Sequence, residues 1–228
     1  MNALPKAQIS HKGPVLCTAF HSDGSAVFSG STDKTAQMWQ LGGAATGQQV
    51  AAHDAPIRGL SYIKEANCLV TGSWDKTVKY WDLRAPTAQA TVQLPGKVLG
   101  LDVQYPLMVV ITSDRQECMF NLTDPSRIYK TRQSTLKYQL KSVACYPEKD
   151  GYAVGSIEGR ISFQSVEDKT NNPENFAFKC HRGDNKEVYQ VNSINFHPLG
   201  TFAAAGGDGE YRFWDRISRS RLHFSGRT

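Results

Sequence analysis

The chain has 228 residues, of which 40% are hydrophobic and 21% are charged, so it is long enough to bury a substantial apolar core. Its formal net charge of +5 is compatible with RNA or with an acidic peptide and establishes neither. The sequence holds no long apolar run and no N-terminal signal pattern, so we expect neither a membrane span nor a membrane partner. The five cysteines are widely spaced, which indicates reduced thiols rather than a disulfide framework.

Two ten-residue segments repeat after 42 positions. Residues 30–39 read Gly-Ser-Thr-Asp-Lys-Thr-Ala-Gln-Met-Trp, and residues 72–81 match them at six positions. A period in the forties with a Gly-Ser-x-Asp turn and a closing Trp is typical of a β-propeller blade. Three weaker copies pair a turn acid with the residue six positions later: Asp114 with Phe120, Glu158 with Gln164, and Asp208 with Trp214. The sequence therefore predicts an all-β propeller with about five recognisable blades.

Each repeat is predicted to form four short strands. In the first repeat these strands cover residues 15–20, 26–30, 35–39 and 48–51. The stretches 124–126 and 167–173 are interpreted as loops between strands, and nothing indicates a second domain. We therefore expect residues 1–228 to form a single propeller domain.

Both ends of the sequence are similar to outer strands of blades that are otherwise missing. Residues 3–10 and 219–228 have this character. An open ring would leave unpaired strand edges, which invite aggregation. The interpretation is a domain that is incomplete at both ends and belongs to a larger, seven-bladed ring. A closed five-bladed ring is the alternative.

Four polar residue types recur at fixed positions in the two strong repeats. They form the sets His11, Ser29, Asp33, Trp39 and His53, Thr71, Asp75, Trp81. Such a set can form a buried hydrogen-bonded network, which is stable when every member is satisfied. A His with Ser and Asp nearby also suggests a hydrolase triad, but its recurrence in two repeats indicates architecture.

No other pattern in the sequence favours an enzyme. There is no nucleophile–base pair, phosphate loop or metal set outside the repeats. The pair Cys180 and His181 has no partners at metal-ligand spacing. We therefore expect a protein that is not an enzyme, with no metal, no cofactor and no small-molecule substrate.

Several strings are more distinctive than the repeat itself. They are His-Asp-Ala-Pro-Ile at 53–57, Thr-Gly-Ser-Trp-Asp-Lys-Thr at 71–77, Leu-Lys-Tyr-Gln at 136–139, Gly-Ser-Ile-Glu-Gly-Arg at 155–160 and Phe-Ala-Phe-Lys-Cys-His-Arg at 176–182. Together they resemble the WD40 mRNA-export propeller of the nuclear pore, the Gle-two or Rae-one type. They also resemble its sister family, the spindle-checkpoint propeller that partners the checkpoint kinases. Residues 93–95 and 102–110 are more similar to the export family, whereas 136–139 lean to the sister.

The resemblance implies that the chain binds an acidic hairpin-like peptide, the GLEBS motif, across one face of the ring. It carries two peptide contacts onto this chain, Trp74 in a blade turn and Arg160 two residues past a turn acid. Exposed aromatics anchor interfaces, and Arg offers a fork for a peptide carboxylate. Two alternatives stay open: Trp74 could pack on a neighbouring loop, and Arg160 could pair with Glu158.

A group of basic residues with interleaved tyrosines suggests contact with single-stranded RNA. Its members are Arg127, Lys130, Arg132, Lys137 and Lys141, with Tyr129 and Tyr138 between them. A solvated loop face is an equally good interpretation. Nothing resembles a module that reads RNA sequence.

The resemblance implies an adaptor in nuclear mRNA export that bridges a GLEBS-containing nucleoporin and mRNA or ribonucleoprotein. It would work in the nucleus, at the pore and the rim of the envelope, with some protein in the cytoplasm. The first alternative is a spindle-assembly-checkpoint scaffold that binds kinase GLEBS motifs. The second is a cullin ubiquitin-ligase substrate receptor, because Trp81-Asp82-Leu83-Arg84 matches the Trp-Asp-x-Arg pattern by which such receptors bind the ligase adaptor.

Overall fold

The computed structural model describes residues 8–42, 47–85, 87–167, 173–183 and 187–225. In these residues the secondary structure consists of strands, which form five four-stranded sheets, and it includes no helix that could span a membrane. The chain divides into two compact units, Met1–Gln93 and Leu94–Thr228. Each unit is described by itself.

The first unit holds two sheets. Sheet 1 consists of β1 (Val15–Phe20), β2 (Ala26–Ser31), β3 (Thr35–Gln40) and β4 (Gln48–Ala52). Sheet 2 consists of β5 (Ile57–Ile63), β6 (Cys68–Ser73), β7 (Thr77–Asp82) and β8 (Ala88–Gln93). Each strand pairs antiparallel with the next strand in the chain, so both sheets are simple meanders.

The second unit holds three sheets of the same topology. Sheet 3 consists of β9 (Val98–Gln104), β10 (Leu107–Thr112), β11 (Gln116–Asn121) and β12 (Lys130–Gln133). Sheet 4 consists of β13 (Leu140–Cys145), β14 (Gly151–Ser156), β15 (Arg160–Ser165) and β16 (Phe176–Lys179). Sheet 5 consists of β17 (Val191–Phe196), β18 (Thr201–Gly206), β19 (Tyr211–Asp215) and β20 (Ser220–Ser225).

The predicted all-β class and the five blades are confirmed, because a four-stranded antiparallel meander is the blade of a β-propeller. The four strands predicted for the first repeat are present, three of them one residue longer. The predicted seven-bladed ring stays a prediction. Residues 1–7 and 226–228, parts of the two predicted outer strands, and residues 168–172 of the second predicted loop lie outside the described residues.

The meander brings two kinds of connection to one end of every sheet. Chain direction reverses at each strand, so the turns between second and third strands lie at the same end as the connections between successive sheets. We call this the acid-turn end. Each of these turns has its acid followed by a residue with positive φ: Lys34, Lys76, Arg115, Gly159 and Gly209. The left-handed residue closes the turn, although for Lys and Arg this conformation costs about 1 kcal/mol.

Apolar residues between neighbouring sheets form the core of each unit. In the first unit, Phe28 and Ile57 are fully buried in the cluster between sheets 1 and 2. In the second unit an aliphatic cluster joins sheets 3 and 4, and an aromatic cluster around Phe163 joins sheets 4 and 5. Strand β14 of sheet 4 lies between these clusters and is buried along its whole length.

Glycines in two second strands allow neighbouring sheets to approach closely. A Cβ at Gly30 would lie 2.8 Å from Ile57 Cγ2, and a Cβ at Gly155 would lie 2.8 Å from Val191 Cβ. The equivalent position in sheet 5 is Ala205. Gly30 and Gly155 are therefore each required by a close contact with the neighbouring sheet.

We expect Gly155→Ala to lower the free energy of unfolding by about 1–3 kcal/mol, because the added methyl overpacks the contact with Val191. Urea denaturation measures the change. Ala205→Ser adds one atom at the equivalent, half-buried position and should change stability by about 0.5 kcal/mol or less. Equal effects of the two substitutions would contradict the packing argument.

Candidate functional site

The first polar set meets at the acid-turn end of sheet 1. His11 Nδ1 lies 2.9 Å from Asp33 Oδ2, and His11 Nε2 lies 2.7 Å from Ser29 Oγ. Trp39 Nε1 donates to the same hydroxyl at 2.9 Å. The other carboxylate oxygen of Asp33 accepts from the backbone N–H and the hydroxyl of Thr35. The structure thus joins all four members of this set.

The second set repeats this geometry in sheet 2. His53 lies 2.7 Å from Asp75 Oδ2 and 2.8 Å from Thr71 Oγ1, and Trp81 Nε1 donates to that hydroxyl at 2.8 Å. One direction of donation satisfies every group: the indole N–H donates to the hydroxyl, the hydroxyl to Nε2, and Nδ1–H to the carboxylate. Thr77 supports Asp75 as Thr35 supports Asp33.

Although Ser29, His11 and Asp33 are connected like a hydrolase triad, the burial of the hydroxyl and the same arrangement in sheet 2 favour a structural role. Ser29 is only 6% exposed, and its oxygen already accepts the indole N–H of Trp39. A nucleophile must be reachable by a substrate and free to lose its proton to the base. Both sets therefore tie the second strand, the third strand, the turn and the preceding connection of their sheet together.

The protonation states follow from burial and from these hydrogen bonds. Burial lowers the pKa of His53, and the carboxylate of Asp75 offsets only part of that change. Burial tends to raise the pKa of Asp33, but hydrogen bonds from Thr35 and His11 outweigh it and bring the pKa to about 2. A neutral imidazole between an ionised carboxylate and a hydroxyl is the state that the donation order requires.

We expect the free energy of unfolding to decrease as the pH falls below about 6.5, the ordinary pKa of His. Because the pKa of His53 is lowered in the folded state, the unfolded chain binds more protons than the folded chain. The contribution of His53 to the free energy of unfolding is therefore complete above about pH 6.5 and is lost as the pH falls through the folded pKa. The lowered pKa values of Asp33 and Asp75 add a further loss below about 3.8.

Urea denaturation between pH 7.5 and pH 3 tests this dependence. His53→Gln keeps an amide in place of the imidazole but cannot titrate, so its stability should depend less steeply on pH between 6.5 and 5. Stability that is constant or rises as the pH falls would contradict the assignment.

Sheets 3 and 4 lack the polar set and are joined by a different buried network. Tyr152 donates to Glu117 Oε2 at 2.7 Å, and Arg132 Nη1 contacts Gln164 Oε1 at 3.2 Å and the Ser165 carbonyl at 3.0 Å. Glu117 is fully buried, and burial raises the pKa of its carboxyl. Strands β11 and β12 of sheet 3 are therefore held to β14 and β15 of sheet 4 through side chains.

Sheet 5 carries an incomplete set that the sequence pattern did not reveal. His181 Nδ1 lies 2.8 Å from Asp208 Oδ2, as in the complete sets. Ala204 occupies the hydroxyl position, so His181 Nε2 faces the Ala204 carbonyl at 3.3 Å. The buried Trp214 Nε1 has no hydrogen-bond partner in the described part of the chain. The pair was missed because His181 lies 27 residues before its acid rather than 22.

We expect Ala204→Ser to raise the free energy of unfolding by about 1 kcal/mol, because the new hydroxyl can accept from Trp214 and donate to His181. Urea denaturation measures the gain. Ala204→Val adds bulk without a hydroxyl and should instead destabilise sheet 5 by overpacking. Equal destabilisation by both substitutions would show that the site does not accept a hydroxyl.

Arg160 lies at the acid-turn end of sheet 4 with a group of charged neighbours. Its Nε lies 3.5 Å from Glu158 Oε2, and Arg182 Nη2 lies 3.6 Å from the same oxygen. Lys137, Glu158 and Arg160 line one cleft of about 350 Å³. We call Lys137, Glu158, Arg160 and Arg182 the Glu158 cluster. The predicted pairing of Arg160 with Glu158 is present, and the sequence did not point to Arg182.

Trp74 lies in the turn between β6 and β7 at the acid-turn end of sheet 2. Its side chain is a large apolar surface that is 37% exposed, and its backbone N–H donates to the Pro56 carbonyl at 3.0 Å. The backbone bond fixes the turn, while the ring stays partly open to solvent. Trp74 belongs to the first unit and Arg160 to the second.

The structure does not bring the five candidate RNA contacts together on one surface. Arg127 lies between β11 and β12, opposite the acid-turn end, and pairs with Asp124 at 3.0 Å. Lys130 Nζ donates to the Val166 carbonyl at 3.0 Å, and Arg132 belongs to the buried network. Lys137 lies in the Glu158 cluster, and Lys141 lies on the first strand of sheet 4, β13.

The other polar and thiol groups considered from sequence have local roles. The Arg84 guanidinium binds Asp82 with Nε at 3.0 Å and Nη2 at 2.7 Å, within the Trp81–Arg84 tetrapeptide. All five cysteines are free thiols, and burial raises the pKa of Cys180 to about 12. Within the described residues, no three His, Cys, Asp or Glu side chains are grouped as metal ligands.

Residues 5–40, 46–82 and 174–215 match the WD domain, G-beta repeat family. The chain belongs to the WD40-repeat family. The matched segments contain the His–Asp pairs of sheets 1, 2 and 5. Sheet 3 and the first three strands of sheet 4, which carry the buried network around Glu117, lie outside the matched segments, whereas β16 of sheet 4 lies inside the third.

Full-length relatives are similar over nearly the whole chain. Protein RAE1 of Arabidopsis thaliana is 55% identical over 219 residues, covering 96% of this chain and 62% of the relative. The Poly(A)+ RNA export protein of Schizosaccharomyces pombe is 46% identical, and the match covers 96% of this chain and 64% of the relative. An mRNA export factor of Danio rerio is 41% identical, and the match covers 97% of this chain and 64% of the relative. The chain thus spans less than two thirds of the length of these relatives.

Proposed function

We propose that this chain is a non-enzymatic adaptor in mRNA export that binds an acidic GLEBS-type nucleoporin peptide at the nuclear pore. The observation that carries the proposal is the similarity, 41–55% identity over at least 96% of the chain, to proteins named for RNA export and to Protein RAE1. Its place of action would be the nucleus and the rim of the envelope, with some protein in the cytoplasm.

The Glu158 cluster supports an acidic peptide as the partner. Two arginines pair with one carboxylate at distances longer than hydrogen bonds, and Lys137 lines the same cleft. The side chain of Arg160 is 35% exposed, which leaves its guanidinium accessible to a carboxylate of the peptide. The exposed ring of Trp74 supplies an apolar anchor of the kind that dominates interface energies.

The mechanism is recognition by side chains that are already in place. Trp74 lies in a turn that is fixed by a backbone hydrogen bond and follows the buried strand β6, and Arg160 begins β15, after the turn that follows the buried strand β14. Each contact is preformed within its own unit, which avoids part of the ordering cost of binding. The peptide then brings the adaptor to the pore, and the adaptor brings its cargo.

Contact with RNA or ribonucleoprotein is the second part of the proposed adaptor role. Lys137 and Tyr138 are exposed, with 57% of Tyr138 open to solvent, and together they offer a cation and a stacking face. Arg127 lies at the opposite end of sheet 3, whereas Lys141 lies on β13, the strand that follows Tyr138, so the proposed RNA contact centres on the connection before β13. Lys130 and Arg132 are engaged within the fold.

The relatives reported above carry export names, which favours the export adaptor over the checkpoint scaffold. The ubiquitin-ligase receptor stays a prediction from the tetrapeptide at 81–84. Within that tetrapeptide, the Arg84 guanidinium donates to Asp82, the last residue of β7.

We expect calorimetric titration to show binding of a nucleoporin GLEBS peptide, weakened about tenfold or more by Arg160→Glu, because a charge-assisted fork is lost. Arg127→Glu makes the same charge change at the opposite end of a sheet and should have little effect. Preference for a checkpoint-kinase GLEBS peptide would favour the checkpoint scaffold. No binding of either peptide to the folded chain would overturn the proposed partner.

A further inference from the structure

Glu158 occupies the turn-acid position of a sheet that has no polar set. In sheets 1 and 2 the turn acid binds a His 22 residues earlier, whereas the corresponding residue before Glu158 is Leu136. The hydroxyl position, four residues before the acid, holds Val154. Glu158 therefore has no part in a buried proton chain, and its carboxylate faces the cleft lined by Lys137 and Arg160.

The contacts of Glu158 also differ from those of the structural turn acids. Asp33 and Asp75 each accept a hydroxyl at 2.7 Å from the Thr two residues later. Glu158 has Arg160 at that position, and its carboxylate reaches Arg160 at 3.5 Å and Arg182 at 3.6 Å. These distances are ion pairs beyond good hydrogen-bond length, and both arginines are partly open to solvent.

Arg182 remains fixed without the carboxylate. Its Nη2 donates to the Glu158 backbone carbonyl at 3.0 Å, a bond that does not depend on the Glu158 side chain. Lys137 is also fixed through its backbone, because Arg115 Nη1 donates to the Lys137 carbonyl at 3.1 Å. The Arg182 guanidinium and the backbone of Lys137 would therefore keep their places if the carboxylate turned away.

We propose that Glu158 is an internal competitor for the acidic ligand: it occupies Arg160 and Arg182 in the free protein and gives them up when a ligand carboxylate enters the cleft. The inference rests on the proposed function, since it assigns a regulatory carboxylate and a further contact, Arg182, to the same site. A ligand with one carboxylate only replaces the ion pairs that Glu158 already makes, so it gains little. The Glu158 cluster therefore selects ligands that bring more than one carboxylate.

The test compares the chain with Glu158→Gln and Arg182→Gln by fluorescence anisotropy, using a labelled nucleoporin GLEBS peptide and a labelled hexaglutamate peptide. Glu158→Gln should tighten binding of both probes about fivefold, the effect of removing a competing partly exposed ion pair. Arg182→Gln should weaken binding of both by a similar factor. Thermal unfolding of each variant confirms that the fold is retained.

Matched controls separate this mechanism from a general change in net charge. Asp124→Asn removes one negative charge from the partly exposed pair with Arg127, and Arg127→Gln removes one positive charge there. Neither should change the affinity for either probe by as much as twofold. If Asp124→Asn and Arg127→Gln changed the affinities as much as Glu158→Gln and Arg182→Gln do, the inference would be overturned.

The two probes make the possible failures distinguishable. If the nucleoporin peptide binds but Glu158→Gln does not tighten it, the competitor inference is wrong and the proposed partner stands. If only hexaglutamate binds, and binds more tightly to Glu158→Gln, the competitor stands and the nucleoporin partner is wrong. If neither probe binds the folded chain or its Glu158→Gln variant, both proposals are overturned.

Discussion

The chain of proton donation from Trp through Ser or Thr and His to Asp is the interaction on which the first two sheets depend. It links the connection, the second strand, the turn and the third strand of each sheet, and each group donates or accepts where its chemistry requires it. Because the network is buried, a missing member would leave an unsatisfied polar group, so the positions of turn, strands and connection are fixed together.

Where the chain of donors is absent, other interactions take its place and the turn acid becomes available. In the second unit the contact between sheets 3 and 4 relies on Glu117, Tyr152 and Arg132, and the contact between sheets 4 and 5 relies on aromatic packing such as Phe163 on Phe202, with ring centroids 5.2 Å apart. At the acid-turn end of sheet 4, the turn acid pairs with two partly exposed arginines instead of a buried histidine. Under the proposed function, the same sequence position serves the architecture of sheets 1 and 2 and ligand recognition in sheet 4.

Much of the fold could be predicted because a short motif repeats. The motif at residues 30–39 and 72–81 locates a turn, two strands and most of the polar set at once. The three weaker copies of the repeat follow from the spacing between the turn acid and the residue six positions later. The Glu117 network could not be found, since Arg132 and Gln164 belong to different repeats and have no fixed spacing. Nor could Arg182, whose contact with Glu158 depends on the path of the connection between β16 and β17.

The incomplete set in sheet 5 has a consequence for local unfolding. Local opening has its own free energy in each part of a protein, and amide hydrogen exchange reports it. His181 faces a carbonyl, and Trp214 Nε1 has no hydrogen-bond partner among the described residues, so β18 and β19 lack the cross-strand hydroxyl that holds β2 to β3 and β6 to β7. Amides in β18 and β19 would therefore exchange before those of the first two sheets, so equal topology would not give equal protection.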